Sequence, residues 1–562
     1  MVLFALPAFG QMQPDLGSEA QRASGRVLYD KYCAQCHGVT GDGRGPARAH
    51  LKPWPRDFTS GTFKFRTTPS GSMPTTEDIV RVIRMGVPYT SMPAFPDSRF
   101  SDEDVLRLVY YIKGFSDRFS DPDYLQPPIA IASPPELTEA SITRGRELYG
   151  QIGCVKCHGD GGLGNGTSAP TLKDDWGQHI RPADMSARWT FRGGPTRQDI
   201  YRAFSTGFNG TPMPSYYDTL SEEDRWHLTN YIYSIGDGDE PGYATLVVAE
   251  PVEGDLDISE GAALFESARP ARFPLVGQIM EPGRSFYTST SSVVVSAIYN
   301  RKEIALMIRW HDMLADTQGT NDPTLVVPSF DETQQAETTT TGEADDSGDD
   351  FWGGEEAAGD DFWGEVGAEA GGDEQGPGVS EYSDAVAVQL PVQIPSRIRK
   401  PYFLLGDAEN PVDLWFADLA RAGISQLEGR GSAACVPSAT DEFEVARSYD
   451  DGEWTVIVKR ALKSSKNVTF REDVFVPIAF SVWDGFQEER GNKRNMTQWM
   501  YLYLRPREVQ SAVGPMIKGA LAALVVELVL FFWLRRRFKS EKAAKDTGGG
   551  ALATQRAAGQ AS

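Results

Sequence analysis

The chain has 562 residues, 40% of them hydrophobic and 24% charged, with five cysteines and a formal net charge of −23. This composition excludes a fibrous or wholly disordered chain, and the cysteines are too few for a disulfide-stapled scaffold. The acidity argues against a general nucleic-acid binder, which needs clustered Lys and Arg. It is concentrated: residues 331–380 hold sixteen acids and no base, leaving −7 for the rest. The length corresponds to about four domains.

In chain order, residues 1–15 open with an apolar run, MVLFALPAFGQMQ, that reads as the remnant of a secretory signal peptide. Residues 16–118 and 138–240 then form two copies of one pattern, joined by a Pro- and Asp-rich linker at 119–137. Each copy has a leading helix (GRVLY from Gly25, GRELY from Gly145) and then a C-x-x-C-H motif. These motifs are Cys33, Cys36 and His37 in the first copy, and Cys154, Cys157 and His158 in the second. The spacing suits two thioethers to one haem c, with the adjacent His as proximal iron ligand.

The distal ligands expected are Met92 and Met213, each 55 residues after its His and each followed by Pro. Met73, Met85 and Met185 are rivals without a counterpart in the other copy. The stretch from Asp78-Ile79 or Asp199-Ile200 to the Met aligns without a gap, and a Phe-Arg pair (Phe65-Arg66, Phe191-Arg192) recurs upstream. A trailing helix with a Ser-x-x-Asp start closes each copy, from Ser101 and from Ser221. His50, His179, His227 and His311 read as structural or surface residues. With these motifs and the aromatic pairs Tyr110-Tyr111 and Tyr231/Tyr233, residues 16–240 resemble class I cytochrome c. The resemblance implies two all-α domains, two covalent haem c and one-electron transfer.

From 241 to 510 the texture becomes that of strands, rich in Val, Ile, Phe, Tyr and Trp and punctuated by Asp, Gly and Asn. Val293–Trp310 reads as two strands around Asn300, and DAVAVQLPV, EWTVIVKRAL, VFVPIAFSVWDG and TQWMYLYLRP read as further strands. An all-β, antiparallel sandwich is expected. DAVAVQLPV, KPYFLLGDAENPVDLW and FSVWDGFQEERGNKRNMTQW resemble the haem-b-binding γ-subunit domain of ethylbenzene dehydrogenase and related molybdenum enzymes. The resemblance implies haem b held between a Met and a Lys. Here Leu404 and Leu405 stand at the Met segment and Arg494, beside Lys493, at the Lys. Met280, Met307, Met313, His311 and Met496 are substitutes among which the sequence does not choose. A docking module without haem is the other reading.

The acidic insertion at 329–381 carries DDFWG twice, at Asp349 and Asp360, and reads as an unfolded loop or a grip for a basic partner. Cys435 reads as a structural thiol. Residues 511–534 are long and apolar enough for one transmembrane helix, with Lys518 near one end and Glu527 inside. Arg535, Arg536, Arg537 and Lys539 follow, which assigns 535–562 to a cytoplasmic tail and the bulk of the chain to the periplasmic side of the inner membrane.

The expected function is that of a membrane-anchored dihaem cytochrome c and not an enzyme in itself. It would pass single electrons between a respiratory oxidoreductase, of molybdenum type and nitrate- or nitrite-like, and the electron-transport chain. Its partners would be molybdenum oxidoreductase subunits or a soluble cytochrome. Two other functions fit the motifs: a stand-alone shuttle between a quinol-oxidising complex and a terminal oxidase, and a dihaem peroxidase.

Overall fold

The computed structural model describes residues 12–286, 288–328, 380–395, 400–431, 434–438, 441–508 and 513–557. The signal-peptide reading of 1–15 falls almost wholly outside them, and so does the acidic insertion apart from Ser380 and Glu381. The chain forms two compact units, residues 1–505 and 506–562.

The first unit begins with helices α1 (Glu19–Tyr32), α2 (Ala34–His37), α3 (Thr76–Met85) and α4 (Asp102–Lys113). The plan then repeats in α5 (Glu139–Gln151), α6 (Val155–His158), α7 (Arg197–Thr206) and α8 (Glu222–Ile235). The starts of α3 and α7 are set by reciprocal capping, Thr75 with Asp78 and Thr196 with Asp199. Leading and trailing helices cross closely in both copies. A Cβ on Gly25 would meet the Arg107 carbonyl oxygen at 2.0 Å, and one on Gly145 would meet that of His227 at 2.0 Å. The crossings are finished by edge-on aromatic pairs, Tyr29 on Tyr111 at 5.2 Å and Tyr149 on Tyr231 at 5.3 Å. The linker is packed rather than loose. Phe119 and Ile129 are buried, and the Ile129 N–H donates to Thr67 O. These apolar side chains pack within a connector whose composition is otherwise rich in Pro and Asp.

The remainder of this unit is one fourteen-stranded sheet. Its strands are β1 (Leu246–Pro251), β2 (Ala271–Pro274), β3 (Val276–Gly277), β4 (Ser292–Tyr299), β5 (Glu303–His311), β6 (Ala385–Pro391) and β7 (Val412–Asp418). Then follow β8 (Ser425–Gly429), β9 (Cys435–Pro437), β10 (Phe443–Asp450), β11 (Glu453–Ala461), β12 (Phe475–Trp483), β13 (Asn495–Met496) and β14 (Met500–Leu504). The main order is β10-β11-β5-β4-β1-β14-β12-β6-β7-β8-β9. Residues 475–478 of β12 pair with β14 and residues 479–483 with β6, so β12 turns the sheet from one layer into the other. Val295, Leu306 and Val456 of one layer share a dry core with Val388, Trp415 and Phe480 of the other. The sheet is mixed, not antiparallel throughout as expected. β1 enters from the second helical copy and runs parallel to both β4 and β14.

In the second unit, helix α9 (Val513–Ala557) includes the segment Val513–Ala543, within which an 18-residue apolar stretch has a mean hydropathy of 2.1. It is long and apolar enough to cross a membrane. The helix continues through Arg535–Arg537 rather than stopping at Leu534, since Arg, Lys and Ala are good helix formers.

Candidate haem-binding sites

In the first copy one cavity is lined by Cys33, Cys36, His37 and Met92, together with Phe58, Phe63, Ile79, Ile83 and Phe95. Its geometry follows from short-range structure. Helix α2 presents both thiols and the imidazole from little more than one turn. His37 Nδ1 lies 2.9 Å from Arg56 O, and its ring stacks on Phe58 at 4.5 Å. The Nδ1–H thus donates to a carbonyl, which leaves Nε2 as the lone-pair nitrogen for iron. Burial pushes the His37 pKa down, favouring the neutral form that ligates. Burial pushes the Cys33 thiol up to about 12 and raises Cys36 as well.

The second copy repeats the histidine anchor and the buried thiol. His158 Nδ1 lies 3.1 Å from Ala183 O, and burial lowers its pKa. The Cys154 thiol is raised to about 12 by burial. Cys154 and Met213 pack against the same buried cluster of Tyr149, Ile200, Phe204 and Leu228. The Tyr29 hydroxyl donates to Gly38 O and that of Tyr149 to Gly159 O, both at 2.8 Å, tying each leading helix to the residue after its motif.

The methionine loops also match bond for bond. The Met92 N–H donates to Thr90 Oγ1 at 3.2 Å, and Thr90 Oγ1 donates to Val87 O at 2.8 Å. The Val87 N–H donates back to Met92 O at 3.0 Å. In the second copy Met213 N–H bonds Thr211 Oγ1 at 3.2 Å, Thr211 Oγ1 bonds Phe208 O at 2.8 Å, and Phe208 N–H bonds Met213 O at 3.1 Å. Gly86 and Gly207 start these loops at φ +67° and +66°, where a Cβ would lie 2.6 and 2.7 Å from the loop backbone. Thr90, Thr211 and the two glycines were missed as functional residues in the sequence. The gapless match before each Met contained them.

The rival methionines lie elsewhere. Met85 is exposed, Met73 is buried but does not line the cavity, and Met185 sits in the core of the second copy. The remaining histidines have protein partners. His227 meets Ser141 Oγ, His179 meets Ala169 O, His311 meets Leu163 O, and the His50 ring packs on Phe286.

The sheet domain does not fit haem b at the positions that the resemblance implies. Leu404 and Leu405 are fully buried and offer no donor atom. Arg494 is fully buried and donates to Gly491 O, and guanidinium is not an iron ligand. Lys493 donates to Gln487 O. The substitute ligands are scattered: Met280 is exposed, Met307 packs with Leu256 and Phe265, and His311 faces the second helical copy. Met313 and Met496 are buried. Cys435 packs against a buried cluster that includes Leu405 and Trp483, and burial raises its thiol to about 11.

Two tandem segments, each with a C-x-x-C-H motif and a matching methionine loop, have the form of cytochrome c domains. Residues 20–112 and 140–232 each match the family described as cytochrome c oxidase, cbb3-type, subunit III. The chain therefore carries two tandem cytochrome c domains, which imply covalent haem c, and it is related to electron-transport proteins of respiratory chains. It is 30% identical over 131 residues to a candidate respiratory nitrate reductase haem subunit of Haloferax mediterranei, across 23% of this chain and 46% of that one. It is 23% identical over 224 residues to the cbb3-type cytochrome c oxidase subunit CcoP of Azospirillum sp. B510, across 38% of this chain and 62% of that one. The chain thus spans about half the length of these curated relatives. Among solved structures, a chain of a reducing HAO-like protein complex from Kuenenia stuttgartiensis is 40% identical, across 40% of this chain and all of that one, with a TM-score of 0.37.

Proposed function

We propose that this chain is a membrane-anchored dihaem electron carrier, with Cys33, Cys36 and Cys154, Cys157 as haem attachment points. His37 with Met92, and His158 with Met213, would hold the iron of the two haems. The observation that carries this reading is the bond-for-bond repetition of both the histidine anchor and the methionine loop. When bound, each haem supplies a one-electron Fe(III)/Fe(II) couple. The residues of the chain do the rest. The Arg56 and Ala183 carbonyls orient the proximal imidazoles, the threonine-closed loops hold Met toward the iron, and the apolar lining keeps water out. A Met ligand of this kind raises the potential and fills the position that peroxide would need, which disfavours the peroxidase reading.

The bulk of the chain lies on the periplasmic side, α9 anchors it in the inner membrane, and the basic tail is cytoplasmic. The partner is a respiratory oxidoreductase of molybdenum type, nitrate- or nitrite-like. The similarity to the Haloferax protein and the sheet-domain motifs support that choice. The sheet domain acts as a docking module. The similarity to a terminal-oxidase subunit favours a second reading, a shuttle between a quinol-oxidising complex and a terminal oxidase. A pyridine haemochrome assay on the detergent-purified chain tests the core of the proposal. Two c-type haems per chain are expected, and fewer than two would refute it. Co-purification with a molybdenum subunit separates the two partner readings.

A further inference from the structure

The Phe-Arg pair that recurs in both copies is not used by the ligand sets. In the first copy it reaches into the second: Arg66 is buried and donates to the carbonyls of Thr206 and Gly207, and Phe65 packs edge-on against Phe208 at 5.7 Å. In the second copy Phe191 packs in its own core, and Arg192 alone reaches the other way, lining the cavity of Cys33, His37 and Met92. The two arginines are spent differently. Arg66 is committed to three backbone carbonyls, those of Pro69, Thr206 and Gly207. Arg192 has no hydrogen bond within the chain among the described residues.

Arg192 has company. The lining of the first cavity includes three side chains with permanent or near-permanent positive charge, Arg56, Lys64 and Arg192, and no Asp or Glu. Arg56 Nη1 is buried without a hydrogen-bond partner. Burial and the Arg56 and Arg192 charges, opposed by Asp174 and Asp175, push the Lys64 pKa down to about 8. Arg56 and Lys64 also line an adjoining polar cavity with Asp57 and Asp174, whereas Arg192 lines only the first cavity of these two. An otherwise apolar cavity with three cations and no acid in its lining suits an apolar ligand with more than one anionic group at one edge. A haem, with its two propionate carboxylates, has that form.

Resting on the reading that Cys33, Cys36 and His37 hold a haem, we propose that Arg192, Lys64 and Arg56 form the propionate-binding edge of the first site. The first haem pocket is then completed by the second cytochrome domain. Arg192 acts as a positioning residue, and its charge stabilises the reduced, less positive iron of the first site.

The test uses the full-length protein in detergent, with R192Q and the charge-preserving R192K. The Met213→His background moves the second couple to lower potential, so that the two couples are read separately. Each variant is first checked by pyridine haemochrome. Loss of a c-type haem would mark failure of the haem reading and not of this one. With two haems present, R192Q is expected to shift the first couple about tenfold toward Fe(III), which is 59 mV lower for one electron. The second couple should stay in place, R192K should restore most of the shift, and resonance Raman propionate modes should change in R192Q alone. An unmoved first couple, an equal shift of both couples or no rescue by Lys would overturn the proposal.

Discussion

Removing one hydroxyl from a methionine loop should free the iron to other ligands without unfolding the domain. Thr211→Val keeps the side-chain shape but deletes Oγ1. That atom accepts from the Met213 N–H at 3.2 Å and donates to Phe208 O at 2.8 Å. Each such bond contributes about 1 kcal/mol net, so the closed loop should lose about 2 kcal/mol relative to the open one. At 1.4 kcal/mol per factor of ten, the Met-off fraction should rise about 30-fold. An exogenous ligand such as imidazole or carbon monoxide binds only the Met-off form. Its apparent affinity for the second site should therefore rise by the same factor. The assay is an optical titration of the variant, with Thr90→Val as its counterpart in the first copy. Unchanged affinity in both variants, with normal haem content and melting temperature, would show that the loop bonds do not hold the methionine.

Gly145→Ala should destabilise the second copy by at least 1–3 kcal/mol, because its Cβ meets a backbone oxygen of α8 at 2.0 Å that no rotamer change can move. Thermal unfolding followed at the second haem would register it, and an unchanged midpoint would contradict the helix crossing. Buried acids at one end of the sheet make stability depend on pH. Burial, together with the nearby Asp484 charge, raises Asp316 to about 7 and Glu489 to about 8. Both folded-state pKa values lie above the unfolded ones, so the protonated, stabilising form is complete below about pH 4 and is lost as pH rises through 7 and 8. The sheet domain should therefore melt at falling temperature between about pH 4 and pH 8, and Asp316→Asn should flatten that slope. Deleting residues 509–562 should move the protein from the membrane fraction to the soluble one, and retention in the membrane would point to a second anchor.

Covalent chemistry was legible in the residues alone. C-x-x-C-H spacing and Met-Pro recurrence work over a few residues, where a helical turn sets the geometry whatever surrounds it. The same holds for the capping pairs and for the apolar span of α9, whose length is a property of composition. Strands rich in β-branched residues were visible one by one, as with β4 and β5 on either side of Asn300. Their partners were not. That β1 lies parallel between β4 and β14 depends on pairing across more than 200 residues, which no local pattern encodes. Compact packing of the linker rests in the same way on Thr67 and its neighbours, far away in the chain. The repeated Phe-Arg pair shows the division most plainly. Its recurrence could be read directly, yet only the tertiary contacts separate an Arg66 bound to carbonyls from an Arg192 turned into its neighbour's cavity. Long-range contacts decide which donors a guanidinium has left to give, and hence which copy it serves.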